Sequence, residues 1–280
     1  FWGLYLNQRN HVIHRQCLSK GGLTNTAIDV RLVLRVALEH RATAIIVAHN
    51  HPTGNLLPSR ADEQITQKLI GSGWGSFSFY LLDRFPEITI DTLTISREQH
   101  DFVKAKIKNL GLEKKMKVIY RDYREHQGQY SRIYSIEMFE AVGMQYWQTY
   151  FNKVKELLQP TGIFSMQTIV IFDGFFERYA KKVDFIQKYI FPGGMLPSPS
   201  SLEKIAKENK LGFSIKNQMA DSYYQTLELW RHNFNQKWNK IKSLGYSDEF
   251  KRMWNFYLSY CSGGFKAKTI DVYQIDFIKK

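Results

Sequence analysis

Apolar positions recur at spacings of three and four through AIDVRLVLRVALEHR (27–41), a pattern that predicts an amphipathic helix. The period differs on either side. WGLYLNQ and HVIHRQCL read as strands that reach the helix through a turn at Gly21 and Gly22, and TAIIVA (43–48) reads as a buried strand after it. HNHPTGNLLPS (49–59) is dense in turn formers and reads as a loop, and RADEQITQKLI (60–70) has a mostly polar, helical pattern. At GSGWGSF (71–77) the grammar changes. ITIDTLTI (88–95) predicts a strand, and SREQHDFVKAKIKNLGL (96–112) a helix with Ser96 and Glu98 at its start. KVIYRDY, YSRIYSI and GIFSMQTIVIF read as further strands, with QYWQTYFNKVKELL as a helix before the last, ended by Pro160 and Gly162. More helices follow from SLEKIAKENK, and TIDVYQIDFI closes the chain as a strand. Strands alternating with helices predict an α/β fold with a parallel sheet and crossover helices.

Composition narrows the class. The 280 residues are 44% hydrophobic and 15% aromatic, enough for a large core. No run approaches the roughly 20 apolar residues of a membrane-spanning helix. The opening FWGLYLNQRN lacks the order of a signal peptide, and two cysteines, Cys17 and Cys261, make no disulfide framework, so a cytoplasmic location is expected. The net charge of +13 points to phosphates, on nucleic acid or on anionic lipid headgroups, or simply to solubility. The motifs must choose.

Gly71, Gly73 and Gly75 form a triplet where backbone can approach a ligand closely, although an ordinary turn would carry the same residues. Thr94 and Gln99 then stand where a doubly wound fold ends its second strand and could hold ribose hydroxyls. Asp122, after the third strand, could accept from an adenine amino group.

GSGWGSF, TLTISREQ, RDYR, SIEMFEAVG, FIQKYIFPGGMLPS, YYQTLELW and FKRMWNFYLSYCSGGFKAKTIDVYQ occur in one order over residues 70–280. In that order they resemble the cyclopropane-fatty-acyl-phospholipid synthases. The resemblance implies a Rossmann-like class I methyltransferase sheet that binds S-adenosylmethionine through Gly71, Gly73, Trp74, Gly75, Thr94, Gln99 and Asp122. It implies methyl transfer to the double bond of a lipid acyl chain, then removal of a proton by bound bicarbonate. Glu140 and Tyr223 match the residues that hold the bicarbonate, and Ile169 matches the one whose backbone completes that site. Ser72 stands where the best-known members have cysteine, and Gln167 where they have histidine, so simple methylation stays open beside ring closure. Glu137 reads as structural or solvent-facing. Only Leu69 and Ile70 lead into the glycines, so the central first strand of that sheet is expected to be missing, as is the family's N-terminal lipid-binding domain.

Before residue 70, His49, His51 and Asp62 form a set suited to zinc. The string HNHPTGNLLPSRAD resembles the RadC family, a branch of the JAMM metalloprotein fold, over residues 1–69. That resemblance implies zinc on His49, His51 and Asp62, with Ser59 orienting a bound water. The resemblance also implies a general-base glutamate and a closing part of the domain, which these residues do not match, so an incomplete α/β JAMM-like segment is expected.

The chain therefore divides into a truncated RadC-like segment over 1–69 and a synthase-like methyltransferase domain over 70–280. The lead expectation is a methyltransferase peripheral to an anionic membrane, with unsaturated phospholipid as its partner. The alternatives are a RadC-type zinc metalloprotein linked to DNA repair or peptide hydrolysis, and a non-catalytic basic module binding lipid or nucleic acid.

Overall fold

The computed structural model describes residues 2–6, 12–17, 44–48, 66–70 and 73–279. These fall into two compact units, residues 1–59 and 60–280. In the first, β1 (Trp2–Leu6) lies between β2 (Val12–Cys17) and β3 (Ala44–Ala48), antiparallel to both. The helix expected over 27–41 and the residues His49, His51, Ser59 and Asp62 lie outside the described residues.

The second unit is built on a seven-stranded sheet. In chain order its strands are β4 (Thr66–Ile70), β5 (Thr89–Thr94), β6 (Met116–Tyr120), β7 (Tyr130–Ile136), β8 (Leu158–Ile171), β9 (Leu211–Gln218) and β10 (Ile270–Lys279). Their spatial order is β6-β5-β4-β7-β8-β10-β9, and β10 alone runs antiparallel to both of its neighbours. Such an order reverses between β4 and β7, where a doubly wound sheet opens its ligand crevice.

The position of β4 corrects the sequence reading. A helix was expected over 60–70 and the central strand was expected to be absent, yet Thr66–Ile70 is that strand, paired in parallel with β5 and β7. The cause is tertiary. Between them, β5 and β7 offer two rows of backbone donors and acceptors that only a strand satisfies, and this outweighs the weak helical preference of TQKLI.

Helix α1 (Ser76–Arg84), not anticipated by the pattern, follows the glycines, and α2 (Arg97–Asn109) joins β5 to β6. Leu81, Leu82, Ile90, Val103 and Ile107 close one core between these helices and the sheet. Helices α3 (Trp147–Leu157), α4 (Asp173–Ala180), α5 (Phe185–Tyr189) and α6 (Pro199–Glu208) come next. Under α3 and α6 lies the largest core, centred on Tyr150, Phe151, Phe164 and Phe277. The chain passes directly from α3 into β8, so Pro160 and Gly162 sit at the irregular start of that strand rather than in a separating loop. Helices α7 (Ala220–Gln236), α8 (Trp238–Lys242) and α9 (Asp248–Lys266) complete the fold. A third core joins α7 and α9 to β10 through Leu227, Leu258, Phe265 and Val272. No helix among the described residues is long and apolar enough to cross a membrane.

Candidate active site

The parallel strands bring their carboxyl ends to one edge of the sheet, where Ile70 is in register with Leu93 and Ser135, and Thr94 with Tyr120. Most of the residues selected from the sequence follow those ends. Gly71 and Ser72 lie outside the described residues; Gly73 and Gly75 both have positive φ, 52° and 79°. Gly75 is the N-cap of α1, and a Cβ there would come within 2.9 Å of the Phe79 ring and 3.1 Å of Val103. Only glycine meets both demands cheaply. Trp74 is exposed and edge-on to Phe102 at 5.3 Å.

Thr94 ends β5 buried, and its hydroxyl donates to Gln99 Oε1 at 2.7 Å, so this expected pair does come together. Ser96 caps α2 by accepting from the Gln99 backbone N–H at 3.2 Å. It thereby fixes the turn that presents Gln99. Ser96→Ala is expected to cost about 1 kcal/mol of stability in denaturant titration and to weaken S-adenosylmethionine binding measured by calorimetry. Asp122, just past β6, accepts from the backbone N–H and the guanidinium of Arg124, the latter at 3.0 and 2.6 Å. These bonds hold its carboxyl below the usual range, so it remains an ionised acceptor.

Beyond β7 the chain turns at Glu137, whose φ is 49°. Its backbone N–H donates to the Gln167 carbonyl at 2.8 Å, and its carboxylate accepts from the Tyr223 hydroxyl and from Gln167 Nε2 at 3.0 Å. Although Glu137 is exposed, as expected for a solvent-facing residue, this bridge makes it a member of the site. Gln167 Nε2 also donates to the Tyr223 oxygen at 3.1 Å, and Gln274 Nε2 donates to Gln167 Oε1 at 2.8 Å, which fixes the amide's orientation. Gln274, on the last strand, closes the string FKRMWNFYLSYCSGGFKAKTIDVYQ but is not among the site residues selected from the sequence.

Glu140 lies one turn further on. The β7 pairing of β8 ends at Gln167, so the Ile169 N–H two residues later is released from the ladder and donates to Glu140 Oε1 at 2.6 Å. Glu140 Oε2 is buried with no hydrogen-bond partner among the described residues. Burial raises its carboxyl above the ordinary carboxylate value, against the lowering effect of the Ile169 N–H. Burial and the Glu137 bond raise the Tyr223 phenol too, so it stays a neutral donor. The edge thus holds a glycine turn, a ribose-compatible pair and a half-satisfied buried carboxylate, a combination suited to accepting a proton beside a bound nucleotide-like molecule.

Comparisons with known proteins agree with this geometry. Residues 64–275 match the mycolic acid cyclopropane synthetase family, and residues 1–84 match the RadC-like JAB domain. The chain is 32% identical over 241 residues to tuberculostearic acid methyltransferase UfaA1 of Mycobacterium tuberculosis, covering 85% of this chain and 56% of that protein. It is 34% identical over 215 residues to cyclopropane-fatty-acyl-phospholipid synthase of Escherichia coli, covering 74% and 52%. It thus spans about half the length of these two relatives. A UPF0758 protein of Flavobacterium johnsoniae is 53% identical over 73 residues, covering 26% of this chain and 32% of that protein. Among solved structures, mycolic acid cyclopropane synthase CmaA1 complexed with SAH and CTAB superposes with a TM-score of 0.67 at 26% identity, covering 77% of this chain and 78% of that one.

Proposed function

The chain belongs to the mycolic acid cyclopropane synthetase family, and from that premise we propose that residues 60–280 transfer a methyl group from S-adenosylmethionine to an unsaturated acyl chain of a phospholipid. The observation that carries this reading is Glu140, a buried carboxylate with one satisfied and one free oxygen at the crevice of the sheet.

The residues fit S-adenosylmethionine. The glycine turn leaves room for backbone approach, and Thr94 and Gln99 suit ribose hydroxyls. That cofactor supplies an electrophilic methyl group. When the methyl adds to a carbon–carbon double bond, the acyl chain becomes a carbocation and must lose a proton. The Oε2 of Glu140, unpartnered among the described residues, supports this residue as the base, because a raised carboxyl is a stronger base than an exposed glutamate. The Tyr223 ring, 5.3 Å from Phe265, offers aromatic faces to the cation.

Bicarbonate does not fit this donor set. The Ile169 N–H is engaged by Glu140, while the Tyr223 hydroxyl and the Gln167 amide are turned to Glu137. Two carboxylates would also oppose an anion, and Gln167 cannot carry the positive charge an imidazole could. The lipid substrate class is supported by the named activities of the relatives, which include sphingolipid C9-methyltransferase 2 of Gibberella zeae, 26% identical over 216 residues and covering 75% of this chain and 41% of that protein.

The test is transfer of labelled methyl to vesicles of unsaturated phospholipid, with and without added bicarbonate. Label is expected in the acyl fraction after saponification, at a rate unchanged by bicarbonate. Label confined to the headgroup would overturn the substrate assignment, and a bicarbonate-dependent rate would overturn Glu140 as the base.

A further inference from the structure

The segment that bonds the Glu140 main-chain carbonyl carries aromatic side chains outward at its other end. Met195 N–H donates to the Glu140 carbonyl at 2.8 Å, and Gln187 Nε2 holds the Gly194 carbonyl at 2.9 Å. Ahead of this clasp lie α5 and Phe191, backed by α9. Phe185 packs edge-on to Phe256 at 4.6 Å and lies 5.4 Å from Tyr189 and 6.3 Å from Tyr260. Behind that anchor the outer rings stay uncovered: Tyr189 is 56% exposed, Phe191 59%, Phe256 53% and Tyr260 45%. Val183 beside them is 74% exposed. The patch is held in place, because Asp184 caps α5 with a reciprocal Gln187 bond and accepts from the Tyr260 hydroxyl at 3.3 Å.

Cations surround these rings. Lys182, Lys188 and Arg252 are exposed, and Lys188 Nζ sits 5.1 Å from the Tyr189 ring centre. Arg252 stands one helical turn before Phe256 on α9. The nearby Lys181 has Glu177 at 3.9 Å, and Asp184 is engaged as a cap, so the carboxylates here have local work. Rings at half-exposure with lysine and arginine around them fit the interface of an anionic bilayer, where aromatics sit at headgroup depth and cations meet phosphate. The +13 charge of the whole chain acts in the same direction.

We propose that this face, formed by residues 181–191 and the outer side of α9, docks the enzyme on an anionic phospholipid bilayer. The inference rests on the lipid reading given above and adds the surface through which the lipid is met. The segment continuous with the docking face is tied to the site through the Glu140 main-chain carbonyl.

The experiment uses the full chain and sedimentation with vesicles of phosphatidylcholine, alone or mixed with phosphatidylglycerol, without cofactor. Wild type should partition at least tenfold better to the mixed vesicles. The double variant Tyr189→Ser, Phe256→Ser and the double variant Lys182→Gln, Lys188→Gln should each lose that partition about tenfold, with unchanged melting temperature and unchanged methyl transfer to lipid dispersed in detergent. Lys104→Gln with Lys108→Gln, on exposed positions of α2, should bind as wild type. Equal losses in that control, wild-type binding by the patch variants, or no preference for the mixed vesicles would overturn the proposal. So would a dimer in solution that the patch variants dissolve, since the face would then belong to a second copy. Docking without methyl transfer would keep this inference and lose the lipid reading, whereas transfer to dispersed lipid with docking elsewhere would do the reverse.

Discussion

Replacing Glu140 with glutamine is expected to lower turnover by at least about 100-fold while leaving S-adenosylmethionine affinity nearly unchanged. The carboxylate is proposed to act only after methyl transfer, so its loss removes an interaction made in the transition state and not in binding. Stability should move the opposite way. A folded-state carboxyl raised above its ordinary 4.5 favours the protonated form, so its contribution is fully present below that value and is lost as pH rises through the folded value. At neutral pH the ionised Glu140 therefore opposes folding, and the neutral amide keeps the acceptor for Ile169. The variant should melt above wild type at pH 7, with the gap closing as pH falls below 4.5. Wild-type turnover should rise with pH through a midpoint above that value. A purely structural Glu140 would instead give a lower melting temperature and parallel losses in binding and turnover.

The second large effect concerns β4. A chain beginning at residue 60 is expected to fold and bind cofactor as the full chain does, because it keeps Thr66–Ile70 between β5 and β7. Beginning at residue 71 should abolish cooperative unfolding and cofactor binding together. Removing a central strand strands two rows of backbone groups and opens two sticky edges in the middle of the sheet. Circular dichroism melts and calorimetry on the two truncations decide the matter. Equal behaviour of both would show that β4 does not organise the sheet.

Local signals made parts of this fold legible. The alternation of ITIDTLTI, the Ser96 cap and the helical spacing after it gave β5 and α2 close to their observed limits. The match of SIEMFEAVG and YYQTLELW to one family pointed to Glu140 and Tyr223, which do come to the same edge with Gln167 and Ile169. What failed was non-local. TQKLI becomes a strand because of neighbours supplied by residues 89–94 and 130–136, and nothing within it says so. Glu137 looked solvent-facing because its exposure is real, while its bridge to Tyr223 spans 86 positions of sequence. Gln274 orients Gln167 across 107 positions; it ends a family-matching string, but nothing in that string names its partner.

The most direct measurement is the fate of deuterium from a trideuteromethyl S-adenosylmethionine donor in the acyl chains of unsaturated phospholipid. If a proton leaves the transferred methyl toward Glu140 as the ring closes, the product is a cyclopropane that carries a CD2 group, and its formation collapses in Glu140→Gln. An intact CD3 branch would contradict ring closure. Label outside the acyl chains, or acyl labelling that Glu140→Gln leaves untouched, would contradict the central claim.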